Sequence, residues 1–131
     1  MMTLTVQSRH QHEMIEISDQ VQSAIARSGI QNGLALVFTP HTTAAVTINE
    51  NADPDVVTDM LHGLGRLVPL QDNYRHLEGN SAAHIKSSLI GAGETLIVAD
   101  GTAVLGTWQG IYFCEFDGPR TRKVFVRIMA A

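Results

Sequence analysis

The chain alternates between two hydrophobic periods, two residues and about 3.6, and the changes of period divide it into strands and helices. Thr3–Arg9 and Glu13–Ile17, carrying Thr, Val and Ile, are predicted strands. Ile17, Val21, Ala24, Ile25 and Ser28 then fall at helical spacing, with Ser18 as the predicted N-cap and Asp19 in the dipole-favoured first turn. Gly29 supplies the stop. Leu34–Thr39 is a nearly continuous apolar run ended by Pro40, the pattern of a buried strand. Along Ala44–Asn49 the faces separate: Ala44, Val46 and Ile48 point one way, and Ala45, Thr47 and Asn49 the other.

Asp53 and Pro54 open a second helix, as N-cap and first helical residue, with Val56, Val57, Met60, Leu61 and Leu64 keeping the helical period. An irregular stretch follows from Leu67–Asn73. Asn80 or Ser81 caps a third helix, whose Ala82, Ile85 and Leu89 lie on one side, with Ala82 and Ile85 expected to pack inward. Gly91 and Gly93 end that helix. Thr95–Ala99, Gly106–Phe116 and Arg122–Met129 are the closing strands, the last two joined by the turn Asp117-Gly118-Pro119. In the final strand Val124, Val126 and Ile128 share one face, with Lys123 and Arg127 on the other. The predicted order β-β-α-β-β-α-α-β-β-β, with short connections, defines an α+β fold: a largely antiparallel sheet with helices packed against it.

Composition narrows the function. At 131 residues the chain has the length of one domain, residues 1–131, and can bury about two-thirds of its unfolded surface without disulfides or structural metal. Its single cysteine, Cys114, forbids an intrachain disulfide and fits a reducing compartment. The first residues carry neither a basic region nor an apolar run of signal length, and no segment approaches the roughly 20 apolar residues of a membrane span. The expectation is a cytoplasmic protein without a membrane partner. With a net charge of −4, and basic residues scattered except at Arg120, Arg122, Lys123 and Arg127, general nucleic-acid binding is not expected. That basic cluster instead suits one small anionic ligand.

Polar chemistry beyond the needs of a fold concentrates in three segments. Pro40–Ala44 followed by Asn49–Pro54 places His41 at one tip of a strand, and Asn49, Asn51 and Asp53 at the other. Asp53 reads equally as a helix cap, and His41 as a loop residue. In Tyr74–His84, His84 follows Asn80 by about one helical turn, so both share a helix face near N–H groups that attract anions. His76 precedes that helix and is placed to curl back toward His84; histidine pairs are common metal ligands, although no HxxxH or CxxC spacing is present. The third segment holds Trp108 and Gln109, then Glu115, Asp117 and Arg120. Trp108 is either a packing residue or part of a site, and Glu115 with Asp117 is either a carboxylate pair or a solvated strand end. Arg120, with its forked guanidinium, is the best single phosphate clamp. No nucleophile elbow, P-loop or dinucleotide glycine pattern occurs, and Cys114 reads as a buried, inert thiol. For His10, His12 and His62 a role in turns or on an exposed helix face is expected.

The stretches HTTAAVTINENADPDV (41–56), HLEGNSAAHIKSSLIG (76–91) and GTWQGIYFCEFDGPRTRKVFV (106–126) resemble the YjbQ family of secondary thiamine-phosphate synthase-like proteins. The resemblance runs through nearly the whole chain and is weakest in the first 30 residues. It implies an α+β fold assembled as a homotrimer, and condensation of a hydroxymethylpyrimidine diphosphate with a thiazole phosphate. It further implies a divalent ion, Mg or Zn, beside the leaving diphosphate. Carried over by position, its polar signature falls on His41, Asn49, Asn51, Asp53, His76, Glu78, Asn80, His84, Trp108, Gln109, Glu115 and Arg120. Within that set His41, Asn80, His84, Glu115 and Arg120 are the expected catalytic residues, and His41, His76 and His84 the expected metal ligands. Asn49, Asn51, Asp53, Trp108 and Gln109 complete the expected ligand site. Two other functions use the same residue types: a metal-dependent hydrolase of a small phosphorylated metabolite, and a non-catalytic binder of an anionic metabolite.

Overall fold

The apolar run ended by Pro40 becomes β3 (Gly33–Phe38), the middle strand of a five-stranded antiparallel sheet in the computed structural model, which describes residues 1–131. Its order is β1-β8-β3-β5-β6, from β1 (Met2–Gln7), β8 (Thr121–Ala130), β5 (Gly93–Ala99) and the two-residue β6 (Thr102–Ala103). A second sheet, ordered β2-β7-β4, joins β2 (Glu13–Glu16), β7 (Gln109–Glu115) and β4 (Ala44–Glu50). Every strand pair is antiparallel. The expected single sheet is thus two, and the expected class, α+β with helices packed on antiparallel strands, holds.

The alternation on β4 explains the layering. Ala44, Val46 and Ile48 join the larger core with Val21 and Ile25 of α1 (Ser18–Ser28), Ile17 just before it, and Val37, Phe113, Val124 and Val126. Ala45, on the opposite face, joins a smaller core with Met14, Ala83, Tyr112, Cys114 and Phe116. Val57, Met60, Leu61 and Leu64 of α2 (Pro54–Leu67) cover that second core, together with α3 (Ser81–Ile90). The small sheet is therefore buried on both faces.

Two local expectations are corrected. Ser18 is not a cap but the first helical residue: its hydroxyl donates to Glu16 Oε2 at 2.7 Å and accepts the Ile111 N–H at 2.9 Å, tying α1 to the small sheet instead. On α3 the inward face is Ala82, Ala83, Lys86 and Ser87, while Ile85 and Leu89 are 40% and 61% exposed. Small side chains let α3 approach β4 closely enough for the Ser87 hydroxyl to donate to the Ala44 carbonyl at 2.6 Å. Asp53 caps α2 as expected, accepting the Asp55 N–H at 2.9 Å with Pro54 in the first turn. No helix is long and apolar enough to cross a membrane.

Candidate functional site

The local folding around Pro40 places the first site residue. Proline ends β3 at Phe38, yet the neighbouring β8 still presents the N–H and C=O of Lys123. Two side chains take over the ladder: the Thr39 hydroxyl donates to the Lys123 carbonyl at 3.1 Å, and His41 Nε2 accepts the Lys123 N–H at 2.9 Å. An acceptor at Nε2 requires the neutral imidazole with its proton on Nδ1. Partial burial, and then the Arg122, Lys123 and Arg120 cations, hold the His41 pKa below 6.5 against an opposing pull from Glu115. His41 therefore stands at the rim as an Nδ1–H donor.

Beneath it lies a buried ion pair. Glu115 and Arg122 are 0% and 4% exposed, and Arg122 binds both carboxylate oxygens, Nε to Oε1 and Nη2 to Oε2. Arg122 Nη2 also donates to Thr43 Oγ1 at 2.9 Å. Ser8 Oγ donates to Glu115 Oε1 at 2.7 Å, and the Asp117 N–H donates to Oε2 at 3.1 Å. Burial alone would raise the Glu115 pKa, but these hydrogen bonds outweigh it and hold the carboxyl below its ordinary 4.5. Glu115 is thus neither a solvated strand end nor one half of a carboxylate dyad. It anchors the turn that follows, where Ser8 Oγ accepts the Arg120 N–H at 2.8 Å. Gly118 completes the anchor, since a Cβ there would come within 2.3 Å of the His10 carbonyl oxygen. Arg120 then folds back, donating from Nε to the Asp117 carbonyl at 2.8 Å and from Nη2 to its carboxylate at 3.1 Å.

Asp117 reaches across to the start of α3, where its carboxylate accepts from Asn80 Nδ2 at 3.0 Å. That bond fixes the amide's orientation, because a flipped Asn80 would set oxygen against oxygen. Asn80 Oδ1 is consequently a buried acceptor with no donor.

Together these groups line an open cleft of about 340 Å³. His41, Thr42 and Thr43 form one wall, Glu78, Asn80 and His84 another, and Asp117, Arg120 and Arg122 the floor. Apart from Pro40, every lining side chain is polar or charged. Of the expected residues, His41, Glu78, Asn80, His84 and Arg120 come together here, and Glu115 acts on the cleft from behind through Arg122. His76 lines an adjoining cleft with Tyr74, Arg75, Ser81 and Ile85; His84 belongs to both, and the two imidazoles meet edge-on with centroids 5.7 Å apart. Within one subunit, no three His, Cys, Asp or Glu side chains are grouped to hold a metal ion, and His41 Nε2 is already committed to the backbone. The three-histidine metal site does not fit this chain taken singly.

Asn49, Asn51, Asp53, Trp108 and Gln109 lie elsewhere. Ala44 pairs with Glu115 at one end of β4, and Glu50 with Gln109 at the other, about 20 Å away along the strand. At that far end Trp108 is 63% exposed, its carbonyl accepts the Asn51 N–H, and Asn51 Nδ2 donates to Glu16 Oε2. Four polar members of the cleft, Thr42, Thr43, Asp117 and Arg122, lie outside the expected site residues, although Asp117 stood as a partner for Glu115, and Arg122 in the basic cluster. Arg122 carried a signal, since strand alternation puts it on the face of Val124 and Val126, where a charge demands a partner.

Fold and cleft together describe an antiparallel two-sheet α+β protein with a polar cleft between the start of α3 and the turn after β7. The chain belongs to the YjbQ family: it matches the family described as UPF0047 protein YjbQ-like over residues 2–131. It is 52% identical over 128 residues to the UPF0047 protein YugU of Bacillus subtilis, covering 97% of each chain. A UPF0047 protein of Methanocaldococcus jannaschii is 50% identical over 124 residues, covering 95% of this chain and 90% of its own. A solved YjbQ/UPF0047-family structure from Clostridium acetobutylicum superposes with a TM-score of 0.97 at 50% identity, covering 98% of this chain and 100% of that one. A YjbQ-like protein of unknown function from Sulfolobus solfataricus gives a TM-score of 0.95 at 33% identity, covering 98% and 95%.

Proposed function

We propose that the cleft between His41 and His84 binds a small phosphorylated substrate and performs a thiamine-phosphate synthase-type transfer. The observation that carries this reading is the convergence of N–H donors and one orphaned acceptor in a single polar cleft, with no activated Ser or Cys beside them. Arg120 and Arg122 are each held by a carboxylate, so they offer fixed N–H groups rather than free charge. Preorganised donors of this kind stabilise charge that develops on a leaving group.

In the proposed reaction the thiazole nitrogen attacks the methylene carbon of the pyrimidine. A C–N bond forms, the C–O bond to diphosphate breaks, and its electron pair leaves with the diphosphate. His41 Nδ1–H, His84 and Arg120 would receive the phosphate oxygens. Asn80 Oδ1 would accept from the pyrimidine's amino group, which supplies the missing donor. The His76–His84 pair, with the Glu78 carboxylate 3.7 Å from His76 Nε2, would be the donors for a divalent ion, and the chain's own residues supply positioning and electrostatics.

We propose further that the chain acts as a cytoplasmic homotrimer. The outer face of the five-stranded sheet carries the cross-strand rows Met129–Leu34–Ile97 and Phe125–Phe38, and Leu36 between them is 45% exposed. An apolar face on a central strand is an interaction surface. Subunit contact there would let the Trp108 end of one chain approach the His41 end of its neighbour.

The test is to incubate the protein with hydroxymethylpyrimidine diphosphate and thiazole phosphate and separate the products. Thiamine phosphate and diphosphate in equal amounts are the expected result. Inorganic phosphate without a condensation product would make the protein a hydrolase. Saturable binding without turnover would make it a binding module, and either result overturns the transferase reading.

A further inference from the structure

Lys86 is the one fully buried lysine, 2% exposed, and it takes part in none of the ion pairs. Its ammonium lies 3.4 Å from His12 Nε2 and 6.0 Å from the centroid of the Phe116 ring. An ammonium has three protons to place, and a neutral imidazole with an aromatic face at that range leaves the charge without a counter-ion. A buried charge in this position is costly unless an anion joins it.

Space for an anion is present. Lys86 borders a cleft of about 460 Å³, within the range of small-molecule sites, and no carboxylate lines it. His12, beside Lys86, and His62 line the same cleft, and Leu61, Pro69 and Leu70 give it an apolar wall. Lys86 follows His84 by two residues, about 200° around α3, so this cleft and the one at His41 open on opposite sides of the helix.

We propose that this cleft is a second ligand site that takes a small organic acid, its carboxylate on Lys86 and its apolar body along Leu61, Pro69 and Leu70. One cation matches a monoanion, and the apolar wall has nothing to gain from an inorganic ion. The site is independent of the transferase reading, because none of its residues lines the cleft at His41.

Calorimetric titration with acetate, butyrate, hexanoate and inorganic phosphate tests it, using the full chain and its Lys86→Met variant. Affinity should rise along the acid series by up to about fourfold per added methylene. It should fall about tenfold or more in the variant, which keeps the lysine's stem without its charge. The imidazole NMR signals of His12 and His62 in the unaltered protein give a readout that does not depend on the variant's folding. Hexanoate should shift them and leave His41 and His84 in place. Equal affinity for phosphate and hexanoate, binding that survives Lys86→Met, or shifts confined to His41 and His84 would each overturn the proposal.

Discussion

Replacing Glu115 by Gln tests the buried support of the cleft. The substitution keeps the side chain's shape and removes its charge, leaving the Arg122 guanidinium, 4% exposed, with Thr43 Oγ1 and a neutral amide. Breaking a buried, hydrogen-bonded ion pair from one side costs about 3–5 kcal/mol. A chain of 131 residues has a total stability of roughly 7–20 kcal/mol, so the variant still folds. With a urea dependence of about 1.5 kcal/mol per molar, the midpoint should fall by ~2–3 M with an unchanged slope, at fixed protein concentration. Arg122→Met should cost a comparable amount, and the double variant no more than the worse single one. Losses that add, or a single loss under about 1 kcal/mol, would instead place the pair among exposed bridges. The pH dependence carries the same sign. The Glu115 pKa is depressed in the fold, so its contribution is complete above about 4.5 and is lost as the pH falls through the lower folded value; Glu115→Gln should flatten that acid limb.

Three further outcomes follow from single residues. Asp53→Ala removes the cap of α2 and should cost about 1 kcal/mol, read from the thermal midpoint; no loss would return Asp53 to the ligand-binding set. Burial pushes the Cys114 thiol up to about 12, so a thiol reagent at pH 8 should leave the folded protein untouched and react on unfolding. His41 should appear by 15N NMR as the neutral Nδ1–H form with a pKa below 6.5; its stabilising contribution is present above 6.5 and lost as the pH falls through the folded value, and an Nε2–H tautomer would contradict the Lys123 hydrogen bond.

Much of the fold was legible because local rules and tertiary packing agree. The period-2 split of β4 assigns Ala44, Val46 and Ile48 to one core and Ala45 to the other, as alternation requires. Pro54 after Asp53 marks the start of α2 within a residue. What was not legible depends on partners distant in sequence. Ser18 has the residue type of a cap, but the nearby Ile111 N–H and Glu16 carboxylate claim its hydroxyl. Ile85 and Leu89 keep the helical period on a face that nothing in the subunit covers, while the buried face of α3 contains a lysine. The division into two sheets is likewise a matter of long-range pairing, invisible to any local window. For the site, the spacing of His84 after Asn80 correctly joined two wall residues. Glu115 was read for its charge, and its role emerges only through Arg122, seven residues on across the turn.

Calorimetric binding of hydroxymethylpyrimidine diphosphate to the protein and to its His84→Ala variant, alongside their thermal midpoints, tests whether the cleft holds the substrate. Saturable binding in the parent, absent in a variant that melts at nearly the same temperature, is the expected result. Undiminished binding by the variant, or a variant that loses its fold with its ligand, would contradict it.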